Sequence, residues 1–234
     1  MPVSELKLTG DMDTEISNAT QTPSRHLYIA GTGRAGTSFL VRYLTAIGMD
    51  TTLSRRGDQA GWAEDASAGL EEEPHKLFGS DVPYVVKSPW LYLVVDEVIS
   101  NAKDRIDGLI VPIRDLSQVA RSRVAVEARA IQRAAPWLNG LEKRWDVWGA
   151  APGGGVYSLA EVDQARVLAV GFHILIERFV AADLPILFLH FPRIVHDHSY
   201  LFQKLQSFFP ANVTAESAND AFRQVVDVTK VHEF

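Results

Sequence analysis

Cysteine is absent from this 234-residue chain, which excludes a disulfide framework, a zinc–thiolate centre and a thiol nucleophile. Long apolar runs are missing too. None approaches the roughly 18 residues that span a bilayer, and the first residues form no apolar signal segment. The expectation is a cytoplasmic protein without a membrane partner. Excess positive charge is likewise lacking: 23 Lys and Arg stand against 29 Asp and Glu, a formal net charge of −6. General affinity for a phosphate backbone needs the opposite sign, so no nucleic acid is expected and any anion site must be local. Internal repeats and low-complexity segments are also absent.

What remains is an ordinary globular composition, 47% hydrophobic and 22% charged, in a chain long enough for one substantial core. Residues 1–24 are polar and aperiodic and are expected to be a flexible tail. Residues 25–234 are expected to form a single domain. Apolar runs suited to buried strands occupy 26–30, 83–87, 108–113 and 185–190. Between them lie helical patterns at 37–47, from Ser88-Pro89 through 91–99, at 116–133 behind the capping Asp115, and at 199–209. Ser158-x-x-Glu161 predicts a capping box opening a helix to about residue 180, with His173 as a packing residue on it. Residues 50–80 read as an irregular acidic insertion. Residues 136–157, with Trp137, Trp145, Trp148, Tyr157 and the run 153–155 of glycine, read as an aromatic lid or loop. The final segment folds back or frays. Continuous apolar strands alternating with helices predict an α/β fold, a three-layer α/β/α sandwich around a central parallel sheet.

The most informative stretch runs from Tyr28 to Leu40. It reads as a buried strand, a loop with three glycines, and the first turn of a helix. Such a loop gathers backbone N–H groups into one concavity at a helix N-terminus, which suits a phosphate-like anion. Gly31-x-x-x-x-Gly36-Thr37-Ser38 nearly matches the P-loop pattern, but Thr37 occupies the position where that pattern needs Lys. Arg34 is the nearest cation. Without that Lys, nucleoside triphosphate hydrolysis lacks a main part. A loop with the Thr37 and Ser38 hydroxyls and one Arg instead suits a 5′-phosphosulfate, which carries less charge and needs no metal. Lys87 and Arg114 fall at the C-terminal ends of expected strands, the edge where ligands bind in open α/β sheets. Arg114 offers a planar fork for a further phosphate, and Ser122, two helical turns on, a hydroxyl for the same group.

These residues resemble the sulfotransferases that use 3′-phosphoadenosine 5′-phosphosulfate (PAPS), members of the P-loop NTPase-like folds. Gly33-Arg34-Ala35-Gly36-Thr37-Ser38-Phe39 resembles their 5′-phosphosulfate loop. Arg114-Asp115 with Ser122 resembles their 3′-phosphate motif, and Lys87-Ser88-Pro89 the second-strand segment of the carbohydrate-type members. His190 to Asp197 sits where the family has its strand and loop before the last helix, so the resemblance extends over residues 26–209. It implies that Gly36, Thr37 and Ser38 hold the 5′-phosphate and that Arg34 neutralises charge on the bridging oxygen. It further implies that Phe39 stacks on adenine, that Arg114 and Ser122 bind the 3′-phosphate, and that Lys87 meets the sulfuryl group. The product would be adenosine 3′,5′-bisphosphate, and the acceptor a small molecule or glycan offering a hydroxyl or amine.

Pro89 stands where cytosolic small-molecule members carry a catalytic His, and their late Arg-Lys-Gly segment is missing. A general base is therefore sought in the acidic insertion, among Asp58, Glu64 and Glu71. Blander alternatives stand beside these roles: Lys87 as a solvated strand end, Glu71 to Glu73 as a solvated face, and His190, His196 and His198 as polar residues near a helix start rather than metal ligands. Two other functions stay open, a P-loop kinase with a divergent loop and a non-catalytic bisphosphate-binding homologue. Oligomeric state is open as well.

Overall fold

The computed structural model describes residues 25–63, 68–77, 81–134, 150–151, 155–156 and 160–230. Its central sheet has four strands, β1 His26–Ile29, β2 Val85–Lys87, β3 Ile106–Ile113 and β4 Ile186–His190. All are parallel, in the order β2-β1-β3-β4. Leu27 lies between Val85 and Gly108, and Ile110 faces Leu187 across the next ladder. The helices among the described residues are α1 Thr37–Ala46, α2 Thr52–Arg56, α3 Val95–Ala102, α4 Leu116–Ala134, α5 Glu161–Ala181, α6 Arg193–His196, α7 His198–Leu205 and α8 Ala215–Val225.

Both faces of the sheet are covered, which is why β1 is apolar along its whole length rather than alternating. Side chains of a strand point to opposite faces in turn. Leu27 and Ile29 therefore share a core with Leu40 and Leu44 of α1, Leu201 and Leu205 of α7, and Phe222 of α8. Tyr28 points the other way, into a core with Val95 and Val98 of α3 and Leu175 and Phe179 of α5. Each such fully buried Leu or Phe contributes on the order of 1.5–3 kcal/mol of burial free energy. The chain leaves β1 toward β2 at one edge, then returns past β1 to β3 and β4. A crevice therefore opens at the C-terminal end of β1, where successive crossovers diverge.

Several expectations change in detail. Residues 88–99 do not form one helix. Leu91–Leu93 make a 3₁₀ turn, and α3 begins only after Val94, whose φ of −127° interrupts the helical path. The predicted box at Ser158 does not open α5, whose N-cap is Ala160 without a side-chain cap; Ser158 itself lies outside the described residues. His173 is exposed on α5 rather than packed. The described part of the acidic insertion holds regular structure. Thr51 and Ser54 form a reciprocal capping box at α2, and Trp62–Ala63 pairs antiparallel with Ala68–Gly69. The final segment folds back: α8, capped by Thr214 and Ser217, buries Ala218, Ala221 and Phe222 beside α1. Ala150–Ala151 pairs with Gly155–Val156, whereas the tail 1–24, Trp137, Trp145, Trp148 and Tyr157 lie outside the described residues. Among the described residues no helix is long and apolar enough to cross a membrane.

Candidate anion-binding site

Between β1 and α1 the backbone curls through four positive φ values, at Gly31 (131°), Gly33 (70°), Arg34 (51°) and Gly36 (84°). Gly36 is the N-cap of α1, and a Cβ there would lie 3.0 Å from the Ile194 side chain and 3.1 Å from the Phe191 ring. Gly31 is confined as well, since a Cβ would stand 3.3 Å from Val111 on β3. Arg34 is the exception: a non-glycine residue in a left-handed conformation that costs roughly 1–2 kcal/mol. The N-terminus of α1 has neither a side-chain cap nor an acid in its first turn. Its first N–H groups thus keep their partial positive charge for an incoming anion.

Lys87 ends β2 and is not a solvated strand end. Its side chain is only 3% exposed, and the ammonium donates to Ser38 Oγ (2.8 Å), the Gly69 carbonyl (2.6 Å) and Glu71 Oε1 (2.9 Å). Burial pushes its pKa below the usual lysine range, with the Glu71 carboxylate opposing that effect. On the other side of the loop, Arg34 Nε donates to Ser122 Oγ over 3.1 Å, and Arg114 donates to the Arg34 carbonyl over 3.0 Å. Ser122 is 2% exposed. The Arg114 guanidinium also lies 4.9 Å over the Phe191 ring. Burial lowers the Arg34 pKa, and repulsion from Arg114 and Arg129 adds to the shift. Cations this close hold one another in an environment that favours a polyvalent anion.

The acidic candidates separate sharply. Glu71, the Lys87 partner, lines the cavity with a quarter of its side chain exposed. Asp58 is exposed on the 3₁₀ turn Gly57–Gln59 and does not line that cavity, so it is not placed to act as a base there. Glu64 lies outside the described residues. The Glu71 to Glu73 run is not one solvated face. Glu72 is 2% exposed and accepts hydrogen bonds from Thr52 (2.8 Å) and Arg56 (2.9 Å), pinning α2, while Glu73 is exposed and pairs with Lys76. Among the described residues no group of three or more His, Asp or Glu is placed to hold a metal.

One cavity of about 310 Å³ contains these elements. The loop from Gly31 to Phe39 lines it together with Lys87, Arg114 and Ser122, except for Ala35, which is buried in the core. Phe39 lines it and stacks on Tyr43, ring centroids 6.2 Å apart and planes 9° apart. Apolar side chains line it as well, among them Trp90, Tyr92, Val126, Leu168 and Phe172. Gly171 lets the Tyr92 ring lie against α5, because a Cβ there would meet three ring atoms at 3.2 Å. Arg34, Arg42, Lys87, Arg114 and Arg123 outnumber Glu71, Glu127 and Asp227 around the cavity, in a chain that is negative overall. Sequence reasoning missed Trp62, Trp90, Tyr92, Phe172 and Phe191 as lining groups. For Trp90 and Tyr92 a signal existed, since they follow Lys87 directly past a strand end. For Phe172 and Phe191 none did. Neither a protein-family model nor a curated protein matches this chain.

Proposed function

We propose that the protein is a PAPS-dependent sulfotransferase of P-loop NTPase-like fold, acting in the cytoplasm on a hydroxyl or amine. The observation that carries this reading is the bracketing of Arg34 by Arg114 and Ser122, residues 80 and 88 positions away in sequence, beside a helix N-terminus lacking the P-loop Lys. The helix N-terminus on one side and Arg114 with Ser122 on the other support a donor with two anionic groups. The backbone N–H groups of Gly36, Thr37 and Ser38 receive the 5′-phosphate, and Arg114 with Ser122 receive the 3′-phosphate. Phe39 is the adenine platform.

Transfer is an in-line displacement. The acceptor oxygen or nitrogen forms a bond to sulfur as the bond from sulfur to the 5′-phosphate oxygen breaks, and adenosine 3′,5′-bisphosphate leaves. Arg34 offsets charge on the departing oxygen, and Lys87 offsets charge on the sulfuryl oxygens. The acceptor proton goes to Glu71, the acidic candidate that lines the cavity. Positioning and preorganised charge supply the acceleration, as in phosphoryl transfer, and no metal is required.

Calorimetry with adenosine 3′,5′-bisphosphate tests the reading. Binding is expected, weakened by Arg114→Ala by about 1.5–3 kcal/mol, the value of a hydrogen bond to a charged group. Absence of binding, or binding indifferent to Arg114→Ala, would overturn it. Mg²⁺-dependent ATP binding that excludes the bisphosphate would point to a kinase instead. Binding without transfer to a broad acceptor panel would point to a non-catalytic homologue.

A further inference from the structure

The cavity carries two charges that the proposed transfer leaves unused. Arg123 and Glu127 both line it and lie four residues apart on α4. That spacing sets them side by side on the helix, Cβ atoms about 5–6 Å apart. Among the described residues neither takes part in an ion pair, with each other or elsewhere. The Arg123 Nε is buried and has no hydrogen-bond partner among the described residues. Trp90, Tyr92 and Phe172 line the same cavity, ready for a flat or apolar body.

We propose that these residues form the acceptor subsite, and that Arg123 and Glu127 together read a zwitterionic head group. A carboxylate sits on Arg123 and an ammonium on Glu127, while the apolar arm of the same molecule lies along Trp90, Tyr92 and Phe172. An anion alone would meet the Glu127 carboxylate, and a cation alone would meet the Arg123 guanidinium. A molecule bearing both charges on neighbouring atoms, as an α-amino acid does, complements both and excludes singly charged analogues. Calling the occupant an acceptor rests on the sulfotransferase reading; the head-group site does not.

The test is calorimetry on the full chain, with and without adenosine 3′,5′-bisphosphate, using four phenols that differ only in head group. L-Tyrosine is the zwitterion, tyramine the cation, 3-(4-hydroxyphenyl)propanoate the anion and 4-ethylphenol the neutral body. L-Tyrosine should bind about tenfold more tightly than either singly charged probe, with 4-ethylphenol weakest. Arg123→Gln should erase the gap between tyrosine and tyramine. Glu127→Gln should erase the gap between tyrosine and the propanoate. Neither change should alter bisphosphate affinity. Equal binding of all four probes, or binding of none, overturns the proposal. So does Arg123→Gln weakening the bisphosphate while leaving the probe ranking intact, which would assign Arg123 to the nucleotide. Should a variant fail to fold, the ranking on the unaltered chain decides. Loss of bisphosphate binding in the same titrations would count against the sulfotransferase reading alone.

Discussion

The Lys87 ammonium lies 2.8 Å from the Ser38 hydroxyl, joining the end of the second strand to the first turn of the helix after the glycine loop. The loop carries Thr37 where a P-loop has its Lys, and a cation from the neighbouring strand stands in contact with the next residue. All three ammonium protons have acceptors, in Ser38, Gly69 and Glu71. The charge is thereby held in place in a buried site, where it acts at higher strength than in water.

Lys87→Met should lower the rate of sulfuryl transfer by about 10²–10³-fold, the usual consequence of removing one preorganised electrostatic donor. Bisphosphate affinity should change little, because that ligand lacks the sulfuryl group. Single-turnover rates and calorimetry on the same variant would check the split. The pH dependence follows from the lowered Lys87 pKa. Transfer should decline at alkaline pH before the ordinary lysine value of 10.5. Stability should move the opposite way. Between the folded and unfolded pKa values only the unfolded chain holds the proton, so raising the pH through that window removes a cost borne by the native state. Denaturant titrations of wild type and Lys87→Met across the window should show this slope in the wild type alone.

Gly36→Ala places a Cβ against Ile194 and Phe191 at a φ of 84°. It should destabilise the protein by roughly 1–3 kcal/mol and weaken bisphosphate binding as the loop shifts. Arg34 gives the contrasting case in the same loop. Arg34→Gly should be about 1 kcal/mol more stable than Arg34→Ala, because glycine accepts φ of 51° without strain. Both should lose transfer. Urea unfolding of the two variants side by side reads the difference.

At the far end of β1, His26 is fully buried and donates from Nδ1 to the Pro83 carbonyl over 2.9 Å. Burial pushes its pKa below 6.5, with Arg105 and Arg55 adding to the shift. Above pH 6.5 both states are neutral at this residue. As pH falls below 6.5, the unfolded chain takes up the proton first and the folded state loses stability. Urea midpoints at pH 7 and pH 5 should therefore fall more steeply in wild type than in His26→Gln.

The order of the main elements and the glycine loop after β1 were legible in the sequence because they rest on local signals. Apolar runs marked β1 to β4, Asp115 capped α4 through the Gln118 N–H, and the glycines at 31, 33 and 36 announced a loop that only small residues tolerate. The Arg114 and Ser122 spacing was readable for the same reason, Arg114 lying just before the capping Asp115 and Ser122 on the helix that it opens. What the sequence could not express was which of several equivalent residues faces the cavity. Glu71, Glu72 and Glu73 are chemically alike, yet one meets Lys87, one is buried under α2 and one faces solvent. The short pairing of Trp62–Ala63 with Ala68–Gly69 brings the Gly69 carbonyl to Lys87, and the packing of α5 on α4 sets Phe172 in the wall of the cavity that Trp90 also lines. Composition and periodicity determine which faces must be buried. The choice among identical carboxylates depends on contacts between residues distant in the chain, and those exist only once the sheet has assembled.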